Sequence, residues 1–113
     1  MQYMLLVYFD PKADPSNTSD EETNAIYAEY TAVARDKATK HSAQLDSLGT
    51  AKTVRIKDGS KLVTDGPFAE TKEALGGYYL VEADSIDTAL DLAAKIPSAR
   101  LGGSVEVRPV IEM

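Results

Sequence analysis

Two segments of this chain are apolar along almost their whole length, and they constrain the fold more than any other feature. Residues 3–9 and residues 78–83 show little alternation between polar and apolar side chains. A strand with this pattern needs cover on both faces, so we expect both segments to be central strands of a sheet. One layer of helices covers only one face. A second copy of the same sheet is the simplest cover for the other face, which predicts a homodimer.

Two helices are predicted, one in each half of the chain. Ser19 and Glu22 form a capping box, which starts a helix expected over residues 20–41. A second helix is expected over residues 86–96, because Pro97 cannot continue it. Both segments repeat apolar residues at spacings of three and four, as amphipathic helices do.

Shorter strands complete the predicted sheet. Residues 53–57 and 61–64 flank the Asp58-Gly59 dipeptide, a pattern typical of a β-hairpin. Residues 105–108 alternate as an edge strand, and residues 43–48 form a weakly defined extended segment. The predicted order is β-α-β-β-α-β with an extra hairpin strand. It gives an α+β fold of two layers, in one domain over residues 1–113.

Composition excludes several classes of function. The chain of 113 residues carries 12 basic and 18 acidic side chains, a net charge of 12 − 18 = −6, which argues against a nucleic-acid or anionic membrane surface. It has no cysteine, which excludes disulfides, thiolate metal sites and a cysteine nucleophile. We expect no metal and no cofactor. The first apolar run is too short for a signal peptide or membrane span, so we expect a cytoplasmic protein.

The segment of residues 64–73, here called the DGPF segment, combines a turn, an aromatic anchor and several charged groups. Its sequence is Thr64-Asp65-Gly66-Pro67-Phe68-Ala69-Glu70-Thr71-Lys72-Glu73, and Gly76-Gly77-Tyr78-Tyr79 follows. Gly66 can take φ > 0 and Pro67 fixes the next φ, so the chain turns sharply. This pattern resembles the DGPF-type, YCII-related domain family. The resemblance extends over the whole chain, from residues 4–8 to residues 103–109.

The resemblance implies a ferredoxin-like α+β fold that pairs into a dimeric α/β barrel. It implies no established reaction, although better-studied relatives are suspected of small-molecule chemistry that uses a His–Asp pair. Genes of this type often lie beside sigma-factor genes, which implies a regulatory alternative.

Asp65 and Lys72 are the candidate catalytic residues. Desolvation against apolar walls would raise the pKa of Asp65 and make it an acid/base group, whereas the alternative is a carboxylate that caps its own turn. Lys72, or Arg108 in its place, would hold an anionic group or an oxyanion. The alternative for Lys72 is a salt bridge with a neighbouring acid such as Glu70.

A ligand cleft is expected between the sheet and the partner subunit, where the first strand ends and the strand at residues 78–83 begins. The candidate ligand-binding residues share aromatic or carboxylate side chains near that edge: Tyr8, Phe68, Glu70, Glu73 and Tyr78. The chain would act on a small molecule there, or bind one without catalysis as a regulatory dimeric module. His41 is the only histidine and is expected at the far end of the first helix, roughly 30 Å from its start. That position departs from a His–Asp pair.

Overall fold

The computed structural model describes residues 1–12, 18–66 and 73–112. Within these ranges the chain forms two helices and six strands in antiparallel sheets, an α+β arrangement. The elements are β1 (Gln2–Phe9), α1 (Asp20–Ala34), β2 (Thr39–Gln44), β3 (Lys52–Lys57), β4 (Ser60–Asp65), β5 (Ala74–Glu82), α2 (Ile86–Ala93) and β6 (Ser104–Pro109). Short 3₁₀ turns occupy Leu48–Thr50 and Pro97–Ala99. This order is consistent with a ferredoxin-like fold that carries an inserted hairpin.

The main sheet has the strand order β2-β5-β1-β6. The two apolar segments are its central strands, as predicted, and Leu5 of β1 lies opposite Tyr79 of β5 and Val107 of β6. The predicted edge strand near residues 105–108 is β6 at one side of the sheet. The weakly defined segment near residue 43 is β2 at the other side.

The hydrophobic core lies between the sheet and the two helices. Leu5, Val81 and Ile96 are completely buried there, and Ala89 and Leu92 of α2 pack against them. The opposite sheet face, here called the open face, has no helix of this chain against it in the described ranges. Its central residues are half-buried and mostly apolar: Met4, Leu6, Tyr8, Tyr78 and Leu80.

Both helices begin at serine caps, and Ser19 is the cap predicted for the first helix. Ser19 accepts a hydrogen bond from the Glu22 N–H at 3.1 Å, and Ser85 accepts one from the Thr88 N–H at 3.3 Å. These contacts satisfy N–H groups that the first helical turn leaves unpaired. No helix in the described ranges has both the length and the apolar character needed to span a membrane.

The first helix ends at Ala34, so the prediction that it reaches residue 41 is wrong. The Asp36 carboxylate accepts a hydrogen bond from the Ala38 N–H at 2.9 Å and holds a turn there. The Thr39 hydroxyl donates to the Val33 carbonyl at 2.7 Å. Asp and Thr side chains compete with helical hydrogen bonds in this way, and the chain enters β2 directly.

The predicted hairpin is present as a two-stranded sheet of its own, β3 with β4. Asp58 and Gly59 both have positive φ, 51° and 79°, as a tight two-residue turn requires. Val54 lies opposite Val63, and both side chains are exposed. The hairpin therefore stands apart from the main core.

Candidate functional site

Residue 73, the last of the DGPF segment, directly precedes β5 at the edge of the sheet where β1 ends. Phe9, the last residue of β1, lies opposite Ala74, the first residue of β5, so the two strands meet at that edge as expected. Phe68, Glu70 and Lys72 lie outside the described residues. Their expected roles in an anchor, a ligand site and anion binding stay predictions.

Asp65 is the last residue of β4, and its carboxylate is exposed. Lys52 Nζ lies 2.5 Å from its Oδ1 atom, and the Asp65 side chain is 86% exposed. Gly66 follows with φ of 86°, which agrees with the expected turn. Its N–H donates to the Ala51 carbonyl at 2.7 Å and its carbonyl accepts from the Thr53 hydroxyl. The base of the hairpin is therefore closed by hydrogen bonds, and Asp65 lies in water beside a cation.

Glu73 and Tyr8 lie near each other at one end of the open face. Glu73 is half-buried, and the hydroxyl of Ser104 donates to its Oε2 atom at 2.8 Å. Ser104 is also the residue of β6 that lies opposite Tyr8 of β1. The hydrogen bond thus connects the start of β5 with β6 across β1. Ser104 thus links Glu73 and Tyr8, and the expected role of both residues in ligand binding stays a prediction.

His41 lies in β2, so its expected place at the end of the first helix is wrong. It lies opposite Leu80 and beside Tyr78 of β5. Its Nδ1 atom is 2.9 Å from the Tyr78 hydroxyl oxygen, and the two rings stack with centroids 5.6 Å apart at an angle of 22°. The hydrogen bond and the stacking together fix the Tyr78 ring on the open face.

A concave surface lies on the other side of the sheet, between α1, β2 and the start of β5. This helix–sheet cleft has a volume of about 1040 Å³. Its lining is Val7, Phe9, Thr18, Thr23, Ile26, Tyr27, Tyr30, Thr31, Ala34, Ser42, Ala43, Gln44, Leu45, Asp46, Ser47, Gly76, Gly77, Tyr78, Tyr79 and Ser98. Tyr78 is the one expected ligand-binding residue among these described lining residues, although its ring lies on the open face. The cleft lies near the end of β1 and the start of β5.

The cleft lies where the first turns of α1 pack only loosely against the sheet. Val33, in the last turn, is the one fully buried residue of this helix, whereas Thr23 and Tyr27 in its earlier turns are not buried. The sheet side is shaped by the glycine pair. A Cβ atom on Gly77 would lie only 2.8 Å from the Ala43 carbonyl oxygen, so β2 approaches β5 more closely than a side chain allows.

A hydrogen-bonded group of side chains fixes the inner wall of the cleft. The Tyr79 hydroxyl donates to the Tyr30 carbonyl at 3.0 Å, and the Tyr30 and Ser98 hydroxyls lie 2.7 Å apart. Burial raises the pKa of the Tyr79 phenol, and the nearby Tyr30 adds to that effect. The phenol therefore keeps its proton at neutral pH and acts as a hydrogen-bond donor.

Sequence reasoning missed the cleft residues on α1. Thr23, Tyr27 and Thr31 are spaced four apart and so share one helix face, a hydroxyl stripe that was available as a signal. Tyr30, also on α1, packs against the core. In the parts of the chain that the structure describes, no three His, Asp or Glu side chains converge as a metal site.

Comparison with known proteins agrees with the family resemblance of the sequence. The YCII-related domain matches residues 1–113. An uncharacterized protein of Rhizobium meliloti (strain 1021) is 41% identical over 115 residues, which cover 97% of this chain and 92% of that protein. A match of this length at this identity shows common ancestry. The chain belongs to the YCII-related domain family.

Proposed function

We propose that this chain binds a small molecule in the helix–sheet cleft. The observation that supports this proposal is the cleft itself, whose volume of about 1040 Å³ lies at the upper end of the range for small-molecule sites. Its lining mixes apolar side chains with hydroxyl groups, as such sites do. The cleft also lies near the end of β1 and the start of β5, the edge expected from the sequence, although on the helix side of the sheet rather than on the open face.

A ligand screen with a blocked variant tests this proposal. Thr31 lines the cleft and is exposed, so Thr31→Trp should fill the opening without disturbing the core. Ala32 is also exposed on α1 but does not line the cleft, so Ala32→Trp is the matched control. A metabolite that shifts the Gly76 and Gly77 amide signals in ¹⁵N spectra should lose affinity only in Thr31→Trp. Equal binding by both variants would refute the proposal.

We also propose that two copies pair through the open face and form the dimeric α/β barrel. Leu6 lies near the centre of this face, and it is half-buried although no helix of the same chain covers it. Leu6→Arg would place a charge between the paired sheets and should convert the protein to a monomer in sedimentation experiments. Leu90→Arg on the exposed surface of α2 is the control and should leave the mass unchanged. A wild-type monomer at micromolar concentration would refute the barrel.

A catalytic version of the proposal assigns acid/base work to Asp65 and anion binding to Lys72. The geometry favours binding without catalysis by Asp65, because this residue is not among the described residues that line the cleft and its carboxylate pairs with Lys52. Asp65→Asn should then leave ligand affinity and its pH dependence unchanged. If Asp65→Asn abolishes turnover of a bound compound while the fold and the oligomeric state are kept, the catalytic version is correct.

A further inference from the structure

We propose that the helix–sheet cleft selects an uncharged ligand with a flat aromatic body and hydrogen-bonding groups, such as a neutral phenol or aromatic amide, and disfavours carboxylates and phosphates. This inference rests on the proposed binding function and names the chemical class that the same cleft would take.

Hydroxyl-bearing side chains are numerous in a lining that is otherwise largely apolar. Ten of the twenty described lining residues are Ser, Thr or Tyr, although the hydroxyl of one of them, Tyr78, bonds to His41 on the open face. A hydroxyl both donates and accepts hydrogen bonds without a charge, so this lining can match alcohol, phenol and amide groups. The described lining residues include no Lys, Arg or His, and Asp46 is the one charged residue among them.

Several of these hydroxyls are available to a ligand. Tyr30 and Ser98 bond each other at the inner wall. Thr23, Tyr27 and Thr31 lie along one face of α1 at the mouth, and their side chains make no hydrogen bond to another described residue. Tyr27 is 54% exposed, so its ring and hydroxyl can close over a bound molecule. The cleft therefore offers a row of uncommitted neutral donors and acceptors.

The charge of the cleft acts against anions. Asp46 accepts a hydrogen bond from the Ser47 N–H at 2.7 Å, which holds its carboxylate at the wall. An anionic ligand would meet this like charge. It would also lose its hydration without gaining a cationic partner among the described lining residues. The net charge of the chain, −6, acts in the same direction over longer distances.

The floor of the cleft favours a flat molecule. Gly76 and Gly77 carry no side chain, so peptide groups form that part of the lining. Ile26 contributes an apolar surface from the helix side, and Tyr27 contributes an aromatic ring. A ring that lies between these surfaces would bury apolar area on both faces and leave its substituents near the hydroxyl stripe.

Two probes of the same shape test the inference. The amide 4-hydroxybenzamide is neutral at pH 7.5, whereas 4-hydroxybenzoate is an anion of nearly equal size. Titration of ¹⁵N-labelled protein should shift the amide signals of Gly76, Gly77 and Thr31 with the neutral probe, and the anion should bind at least about tenfold more weakly. Thr31→Val should weaken the neutral probe about two- to tenfold by removing one hydroxyl. Thr64→Val on the exposed strand β4 should not.

Each other outcome has a definite meaning. If the benzoate binds as tightly as the benzamide or more tightly, with the same signals shifted, the inference is wrong, the proposed binding function stands, and the anion-binding role expected of Lys72 gains support. If neither probe shifts these signals at millimolar concentration, the inference fails. A wider metabolite screen that also finds no ligand for the cleft would then refute the proposed function as well.

Discussion

Gly77→Ala tests the close approach of β2 to β5 beside the cleft. A Cβ atom built on Gly77 lies 2.8 Å from the Ala43 carbonyl oxygen and 3.5 Å from the Gln44 Cα atom, both backbone atoms of β2. Backbone atoms in a paired strand cannot rotate away as the end of a side chain can. The added methyl group should therefore push β2 outward or break the pairing between Gln44 and Gly77.

The size of the effect follows from two opposing terms. Overpacking of this kind costs about 1–3 kcal/mol, whereas replacing glycine restricts the unfolded chain and returns about 0.4–1 kcal/mol. We expect Gly77→Ala to lower the free energy of unfolding by about 1–2 kcal/mol. For a chain of 113 residues this corresponds to a melting temperature lower by about 4–8 °C.

Thermal unfolding followed by circular dichroism at one fixed protein concentration measures this difference. Gly49→Ala is the control, because a Cβ atom there would meet only the Ser47 hydroxyl at 4.0 Å. The control should melt at the wild-type temperature or slightly above it. A Gly77→Ala protein that melts as the control does would show that β2 does not constrain this glycine, and the argument for the shape of the cleft floor would fail.

Three further predictions concern stability. Because burial raises the pKa of Tyr79, its stabilising effect is complete below pH 10 and is lost as pH rises further, since the unfolded phenol ionises first. Urea unfolding above about pH 10 should therefore show a steeper fall for wild type than for Tyr79→Phe, and equal slopes would contradict this. Ser19→Ala should cost about 1 kcal/mol in the same assay by removing the α1 cap, and an unchanged midpoint would show that the cap is dispensable. Lys52→Ala should cost less than about 0.5 kcal/mol, because its partner Asp65 is exposed; a loss above about 1 kcal/mol would mean that the pair is covered.

The sheet was predictable because burial on both faces leaves a strong sequence pattern. Leu5 and Val81 point into the helix-side core, and Leu6 and Leu80 point to the open face, so all four positions are apolar. Local turn chemistry was equally informative at Asp58-Gly59 and at the helix caps. In each case a few adjacent residues determine the conformation without help from distant parts of the chain.

The end of α1 could not be predicted from local sequence patterns. No glycine or proline lies within residues 35–41, which hold one alanine and four charged residues that suit a helix. The helix stops because Asp36 and Thr39 hydrogen-bond to nearby backbone groups, and because β2 gains hydrogen bonds with β5. The second reason is a tertiary contact, which local propensity does not contain. Because of this error, His41 was expected in the first helix, whereas it lies in β2 beside Tyr78.

The candidate cleft lies near the edge of the sheet that the sequence indicated, but on the opposite side of the sheet from the cleft that was expected. The DGPF segment pointed to the edge where β1 ends, and both the cleft and the pair of Glu73 with Ser104 lie near that edge. The sequence predicted a cleft on the open face, because the apolar strands need cover there. The cleft on the helix side depends on how far the first turns of α1 stand from the sheet, and no short sequence pattern encodes that distance.

The hairpin of β3 and β4 also bears on the proposed dimer. The chain has a radius of gyration of 16.0 Å, whereas a compact chain of this length has about 13 Å. Strands β3 and β4 contribute to this extended shape, and Val54 and Ile56 on them are 61% and 71% exposed. A two-stranded hairpin has little stability alone in water, so its sequence pattern specifies a shape whose stability must come from other contacts. The proposed homodimer supplies a second copy for such contacts. The open face and the hairpin both expose apolar side chains among the described residues, and the proposed homodimer would bury both surfaces.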